Sequence, residues 1–250
     1  MEIDNDKMKL IEKYILDNRE QWFKTDIEWI YPNPTSKNSY NWEFLKCQRQ
    51  ISDGVKFDVF KRETNREPDT VFYYWNGNHV NLNFEDTVYF FTKLIKLTNN
   101  WTSIFTYGEL LHQMKDNFVW YQRYEPNVPF VKARNLIGIY AVKYYKDDEL
   151  PIDLKGHEVA LISLRSVPKD IVPITLPDEP QILWHGAYLL ISDNDKTRVH
   201  KFDSEDQKGW LPQWLTNFAF PKYVQEEAVL ATKYIKDNPD ILLNNMEDTL

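Results

Sequence analysis

The sequence predicts an α+β protein in which a curved antiparallel β-sheet grips a long C-terminal helix around an internal cavity. Its segments run helix, three strands, helix, six strands, long helix. A sheet of that many strands must curl or split, and a curled sheet closed by a helix leaves a cavity. In the strand from Asn135 to Tyr145, Leu136, Tyr140, Val142 and Tyr144 alternate with Ile137, Ile139, Ala141 and Tyr145, so both faces are largely apolar. A strand buried between two packed layers would carry the same pattern.

The first helix follows Asp4 and Asn5, either of which can cap it. Ile11, Tyr14, Ile15, Asn18 and Trp22 share one side, and Pro32 and Pro34 close off what comes next. Strand-like stretches between Trp42 and Arg62 flank a hairpin signal, Ser52-Asp53-Gly54, and Thr70 to Trp75 forms a third strand. Asn83 then caps a helix carrying Val88, Phe91, Leu94, Ile95 and Leu97. Six strands are expected near Ile104 to Leu111, Phe118 to Tyr124, Asn135 to Tyr145, Glu158 to Ser166, Ile182 to Ser192 and Thr197 to Phe202, the last pair joined by a turn at Asp193-Asn194-Asp195. Leu211, Trp214, Leu215 and Phe218 begin a final helix. Val224, Ala228, Ala231, Tyr234 and Ile235 continue its stripe past Pro221, where the helix kinks or restarts.

These elements make one domain over residues 1–250, with its core at about 5–238 and a tail at 239–250. The aromatic share is 15%, against only 7 glycines, which suits the walls of an apolar cavity and equally suits an ordinary aromatic core. A net charge of -8 without a basic cluster argues against nucleic acid and against lasting attachment to an anionic membrane. The single cysteine, Cys47, excludes an internal disulfide. With no signal-like N-terminus and no long apolar run, a cytoplasmic location is expected.

Residues 206–217, Asp-Gln-Lys-Gly-Trp-Leu-Pro-Gln-Trp-Leu-Thr-Asn, resemble the D-x-x-G-x-x-P-x-W-L-x-N signature of START (StAR-related lipid-transfer) domains. Gly209 permits a tight exit from the last strand, Pro212 suits an early helical position, and Trp214 and Leu215 can enter the core. Trp101 resembles the family's W-D position and Arg134 its R-D-F position. Thr102 and Asn135 stand where the family commonly has acids, which makes this a diverged pattern.

The resemblance implies a helix-grip fold whose tunnel holds one lipid and exchanges it with membranes through transient contact. It implies a monomer with no cofactor and no metal. Arg134 is the first candidate for orienting a headgroup, by family position. Gln122, Tyr140, His185 and Tyr188 are further polar candidates, because a mainly apolar tunnel gains specificity from few polar contacts. Trp120 and Trp184, with Trp101, Tyr107, Tyr124 and Tyr140, offer rings for a choline-like cation or for plain packing. Trp214 and Phe218 complete the ligand-binding set from the last helix, and Gly138 and Ala187 are expected to line the tunnel. In sterol-binding members an acid and an arginine lie deep in the tunnel. Here the matching positions are Tyr121 or Gln122 and Tyr140, so phospholipid is favoured, with sterol possible.

Between two strands, Pro126 to Ala133 places Val128, Phe130 and Val131 in a proline-bearing loop that can dip into a bilayer or fold back on the protein. Burying each would contribute about 1.5 to 3 kcal/mol, enough for brief docking. No catalytic residue is assigned. The five histidines show no metal spacing, and Glu109 and His112, three apart on a strand, are expected on opposite faces. A helix-grip enzyme of the hydrolase or cyclase kind, or a ligand sensor, remains the alternative.

Overall fold

A computed structural model describes residues 3–31, 43–50, 56–63, 71–80, 82–93, 95, 98, 105–125, 130–172, 179–206, 208, 230–231 and 233–238. Helix α1 runs Asn5–Ile30. It starts where Asp4 Oδ1 accepts the Lys7 N–H at 2.8 Å and ends at the extended residue Tyr31. Strands β1 (Glu43–Gln50), β2 (Lys56–Glu63) and β3 (Val71–Val80) form an antiparallel meander, and the expected Asp53-Gly54 turn lies outside the described residues. Helix α2 (Phe84–Lys93) begins at Asn83, whose Oδ1 accepts the Asp86 N–H at 2.9 Å while its amide donates to the Asp86 carboxylate at 2.7 Å.

Six strands follow: β4 (Phe105–Met114), β5 (Asn117–Tyr124), β6 (Arg134–Tyr145), β7 (Val159–Ser166), β8 (Leu183–Asp193) and β9 (Lys196–Asp206). Residues 230–231 and 233–237 are helical and are called α3. Over the described residues the element order matches the one expected from the sequence; the expected start of the last helix and its kink at Pro221 lie outside them. All nine strands form one antiparallel sheet in the order β1-β2-β3-β9-β8-β7-β6-β5-β4. The chain lays down β3, crosses by way of α2 to the far edge at β4, and returns strand by strand until β9 pairs with β3.

Alternation along the strands builds two cores on opposite sides of this sheet. The inner core holds Leu136, Tyr140 and Val142 of β6 with Phe90 of α2 and Ala231 and Ile235 of α3. The outer core holds Ile137, Ile139 and Ala141 with Ile11, Ile15, Trp22, Phe23 and Trp29 of α1. Both sources of a doubly apolar β6 are thus present, since one face looks toward the cavity and the other is covered by α1.

Strand β4 departs from the expected alternation. Its register shifts between Leu110 and His112, so Glu109 pairs with Tyr121 and His112 with Val119. Tyr121 and Val119 both belong to the outer core, so the bulge puts Glu109 and His112 on the same face. They are separately engaged there, His112 with Glu12 of α1 at 2.7 Å and Glu109 with the Tyr107 hydroxyl at 3.1 Å. Among the described residues, no helix is long and apolar enough to cross a membrane.

Candidate functional site

The inner face of the sheet, α2 and α3 surround a cavity. About 50 Å³ is open to the centre of a water molecule, within a cleft of about 590 Å³ that includes the mouth. The enclosed part has room for only a few waters. Phe90, Phe91, Ile95 and Thr98 close it on the α2 side and Ala231 on the α3 side, while Phe105, Gln122, Tyr124, Tyr140, Trp184, Tyr188, Lys201 and Asp203 rise from the strands.

Alternation explains which strand residues arrive there. In β8, Trp184, Gly186 and Tyr188 face inward and His185 and Ala187 outward. In β9, Val199, Lys201 and Asp203 face inward opposite Leu190, Tyr188 and Gly186. Two charged side chains are buried here, Lys201 at 1% and Asp203 at 2% exposure, with Nζ to Oδ2 at 3.0 Å. The Trp184 indole N–H donates to the other Asp203 oxygen, and Lys201 Nζ lies 5.2 Å from the centre of the Tyr188 ring. Phe91 of α2 stacks on Tyr188, the two ring centres 4.5 Å apart.

Two glycines make room for the polar groups. A Cβ on Gly186 would stand 2.8 Å from the Phe202 carbonyl oxygen and 3.2 Å from Asp203 Oδ1, so a side chain there would crowd the carboxylate. A Cβ on Gly138 would come 2.9 Å from Gln122 Nε2. Gln122 sits in that space. Its amide donates to the Tyr140 hydroxyl at 3.0 Å, and its carbonyl accepts from the Tyr124 hydroxyl at 2.6 Å. The Tyr140 ring meets Trp184 edge-on at 5.6 Å, joining the Gln122 network to the Asp203 network across the cavity wall.

Of the ligand-binding candidates, Gln122, Tyr140, Trp184 and Tyr188 come together in this wall. Trp120 belongs to the same core, with its indole N–H on the Thr92 carbonyl at 3.0 Å, and does not line the cavity. Arg134 is buried at the start of β6, where its guanidinium donates to the Lys132 carbonyl. It too lies off the cavity lining, and burial lowers its pKa. Tyr107, one of the proposed cage rings, is exposed on the edge strand. Trp101, Trp214, Phe218 and Val128 lie outside the described residues, as does most of the motif at 206–217. Phe130 is 97% exposed with φ at 67°, and Val131 is partly buried.

His185 and Ala187 face the wrong way for the roles expected of them, because each is odd in a strand whose even residues point inward. His185 packs beneath α1, with Nε2 3.2 Å from Asp26 Oδ1 and its ring 6.1 Å from that of Trp29. Asp26 is fully buried and also accepts from Arg165 at 2.7 Å. Burial works against its charge, but Arg165 and His185 outweigh it and hold the carboxyl below its ordinary range. Burial and the Arg165 charge lower the pKa of His185, which therefore stays neutral near pH 7.

Asn135 also gains an explanation. Its side-chain amide lies 3.5 Å from Glu179, and its backbone bonds to Pro180 and Ile182 on either side of Gln181. Glu179 in turn binds Arg123 through two nitrogens. An acid at Asn135 would repel the Glu179 carboxylate, whereas the amide donates to it.

Sequence reasoning missed the Lys201–Asp203 pair. A charged pair is present in the cavity wall, on β9 rather than at the positions where it was sought.

A curved antiparallel sheet, a long N-terminal helix on its outer face and helices gripping its inner face define the START-type helix-grip fold. Solved structures agree. A STAR-related lipid transfer protein from Xanthomonas axonopodis superposes with a TM-score of 0.64 at 16% identity, over 79% of this chain and 99% of that one. Human StAR-related lipid transfer protein 5 gives 0.63 at 17% identity, over 92% and 95%. The human StarD13 lipid transfer and protein localization domain gives 0.59 at 11%, over 93% and 98%. At such identities the likeness is one of fold. Neither a protein-family model nor a curated protein sequence matches the chain.

Proposed function

We propose that this protein binds one lipid-like apolar molecule between the inner sheet face and its gripping helices and carries it between membranes. The observation that supports this most is the character of the cavity wall: aromatic rings from α2, β4, β5, β6 and β8 surround a few convergent, buried polar groups. The buried polar groups include the Lys201–Asp203 ion pair and the Gln122–Tyr140–Tyr124 hydrogen bonds. The names of the fold neighbours, lipid transfer proteins in each case cited, point the same way.

A lipid does not fit the enclosed space as it stands, so loading requires the wall to part. The contact to break is the stack of Phe91 on Tyr188, which joins α2 to β8. The exposed Phe130, shortly before β6, supplies a side chain for brief bilayer contact.

The test is transfer between donor vesicles carrying a fluorescent lipid with a quencher and unlabelled acceptor vesicles. Wild type is expected to raise the transfer rate well above the spontaneous rate, and Phe130→Ser to lower that gain severalfold without changing Tm. A protein that leaves the spontaneous rate unchanged for neutral, zwitterionic and anionic probes alike would contradict the carrier reading.

A further inference from the structure

Lys201 carries the one amine in the cavity wall among the described residues, and its side chain is 1% exposed. For a buried ion pair a guanidinium is the better structural choice, because it is more weakly hydrated and holds a carboxylate through two parallel bonds. An amine is a nucleophile toward carbonyl carbon, which a guanidinium is not. Three features around Lys201 suit that chemistry. Asp203 Oδ2 lies 3.0 Å from Nζ, and the Trp184 indole N–H holds the other carboxylate oxygen, so the proton acceptor has a fixed place. The Tyr188 ring centre sits 5.2 Å from Nζ, where its face favours a cationic nitrogen. The enclosed space has room for only a few waters, and the rings of Phe90, Phe91 and Trp184 around it suit an apolar chain.

We propose that Lys201 captures an apolar aldehyde as a protonated imine, with Asp203 as its counterion; this rests on the carrier reading of the same cavity and names the class of cargo. Desolvation narrows the gap between a charged pair and the neutral pair formed when a proton moves along the bond that joins them. One proton passes from Lys201 Nζ to Asp203 Oδ2, and the amine lone pair adds to the aldehyde carbon to form the C–N bond. The nitrogen passes a second proton to the former carbonyl oxygen. Asp203 then protonates the resulting hydroxyl, which leaves as water while the nitrogen lone pair closes the C=N bond. The product holds one cationic nitrogen beside one carboxylate, as the starting pair did, so no net charge enters the wall and neither oxidant nor reductant is consumed. Water that returns when the wall parts reverses the sequence and releases the aldehyde.

Reductive trapping tests it. The full-length protein is incubated with hexadecanal, freed of excess aldehyde by gel filtration, and treated with sodium borohydride, which converts an imine into a stable secondary amine. Intact mass should show close to one hexadecyl group per chain, and peptide mapping should place it on Lys201, because imines on exposed lysines hydrolyse before reduction. Lys201→Arg, which keeps a cation beside Asp203, should lose the adduct. Hexadecanol forms no imine, so its displacement of a fluorescent apolar reporter reads the cavity alone. Absence of an adduct at Lys201 while hexadecanol or hexadecanal displaces the reporter, or adducts spread over exposed lysines such as Lys115, overturns the proposal and leaves the carrier reading standing. Absence of an adduct together with no displacement by either compound overturns both. The wild-type peptide map decides by itself if Lys201→Arg does not fold.

Discussion

Lys201 and Asp203 each lose hydration when β9 is covered, and the bond between them offsets part of that cost. Removing one charge should therefore harm stability more than removing both. Asp203→Asn is expected to cost about 3 to 5 kcal/mol, because it leaves the ammonium of Lys201 buried without its carboxylate. Lys201→Met added to it should restore a large part of the loss. Urea unfolding of the two single variants and the double variant checks this as a double-mutant cycle, and additive losses would show that the two groups do not act as a pair. Little of this was legible in the sequence. The strand reading of Thr197 to Phe202 stops one residue short of Asp203, and a lysine in mid-strand ordinarily signals a solvent-facing position. Alternation does place Val199, Lys201 and Asp203 on one face, but only the pairing with β8 identifies that face as the inner one.

Among the elements, α1 is the one whose role the sequence left open. Its apolar stripe was plain, but Asp26, fully buried within it, has meaning only against Arg165 of β7 and His185 of β8. The acid sensitivity of this joint has a definite sign. The pKa of His185 is lowered in the fold, so as pH falls through about 6.5 the unfolded chain takes a proton that the native chain refuses, and stability declines. The carboxyl of Asp26 is held below 3.8, so its contribution is present above that value and is lost as pH falls through the lower native pKa. His185 keeps 32% of its side chain exposed, which limits the first step to about 1 kcal/mol or less. Unfolding free energies measured between about pH 7 and pH 5 should fall for wild type and hold nearly level for His185→Gln; equal slopes would remove His185 from the account.

The two faces of the sheet also separate two substitutions that the sequence treats alike. Gly138→Phe projects into the inner face beside Gln122, where a Cβ already stands 2.9 Å from its amide nitrogen. It should lower ligand loading per folded molecule and cost about 1 to 3 kcal/mol through overpacking. Ala187→Trp projects beneath α1, in the outer core, and should lower Tm while leaving loading per folded molecule unchanged. Lipid extraction from matched amounts of folded protein distinguishes them. A fall in loading for Ala187→Trp that equals the fall for Gly138→Phe would mean that the faces are coupled.

For the molecule as a whole, element order, both helix caps and the two-sided burial of β6 were readable from capping residues and periodicity, which are local signals. The position of β9 against β3, the bulge in β4 and the inward parity of β8 were not, because each depends on pairing between distant segments. That is why Gln122, Tyr140, Trp184 and Tyr188 share the cavity wall while His185 and Ala187 fall on the other side. The central claim is that this inner cavity holds one apolar ligand. Native mass spectrometry of the purified chain, followed by organic extraction and identification of what is released, tests it most directly. A mass increment of a single lipid-sized molecule is expected at close to one per chain, retained by Ala187→Trp and reduced by Gly138→Phe. A chain that carries no such increment, and acquires none after incubation with a mixed lipid extract, would contradict it.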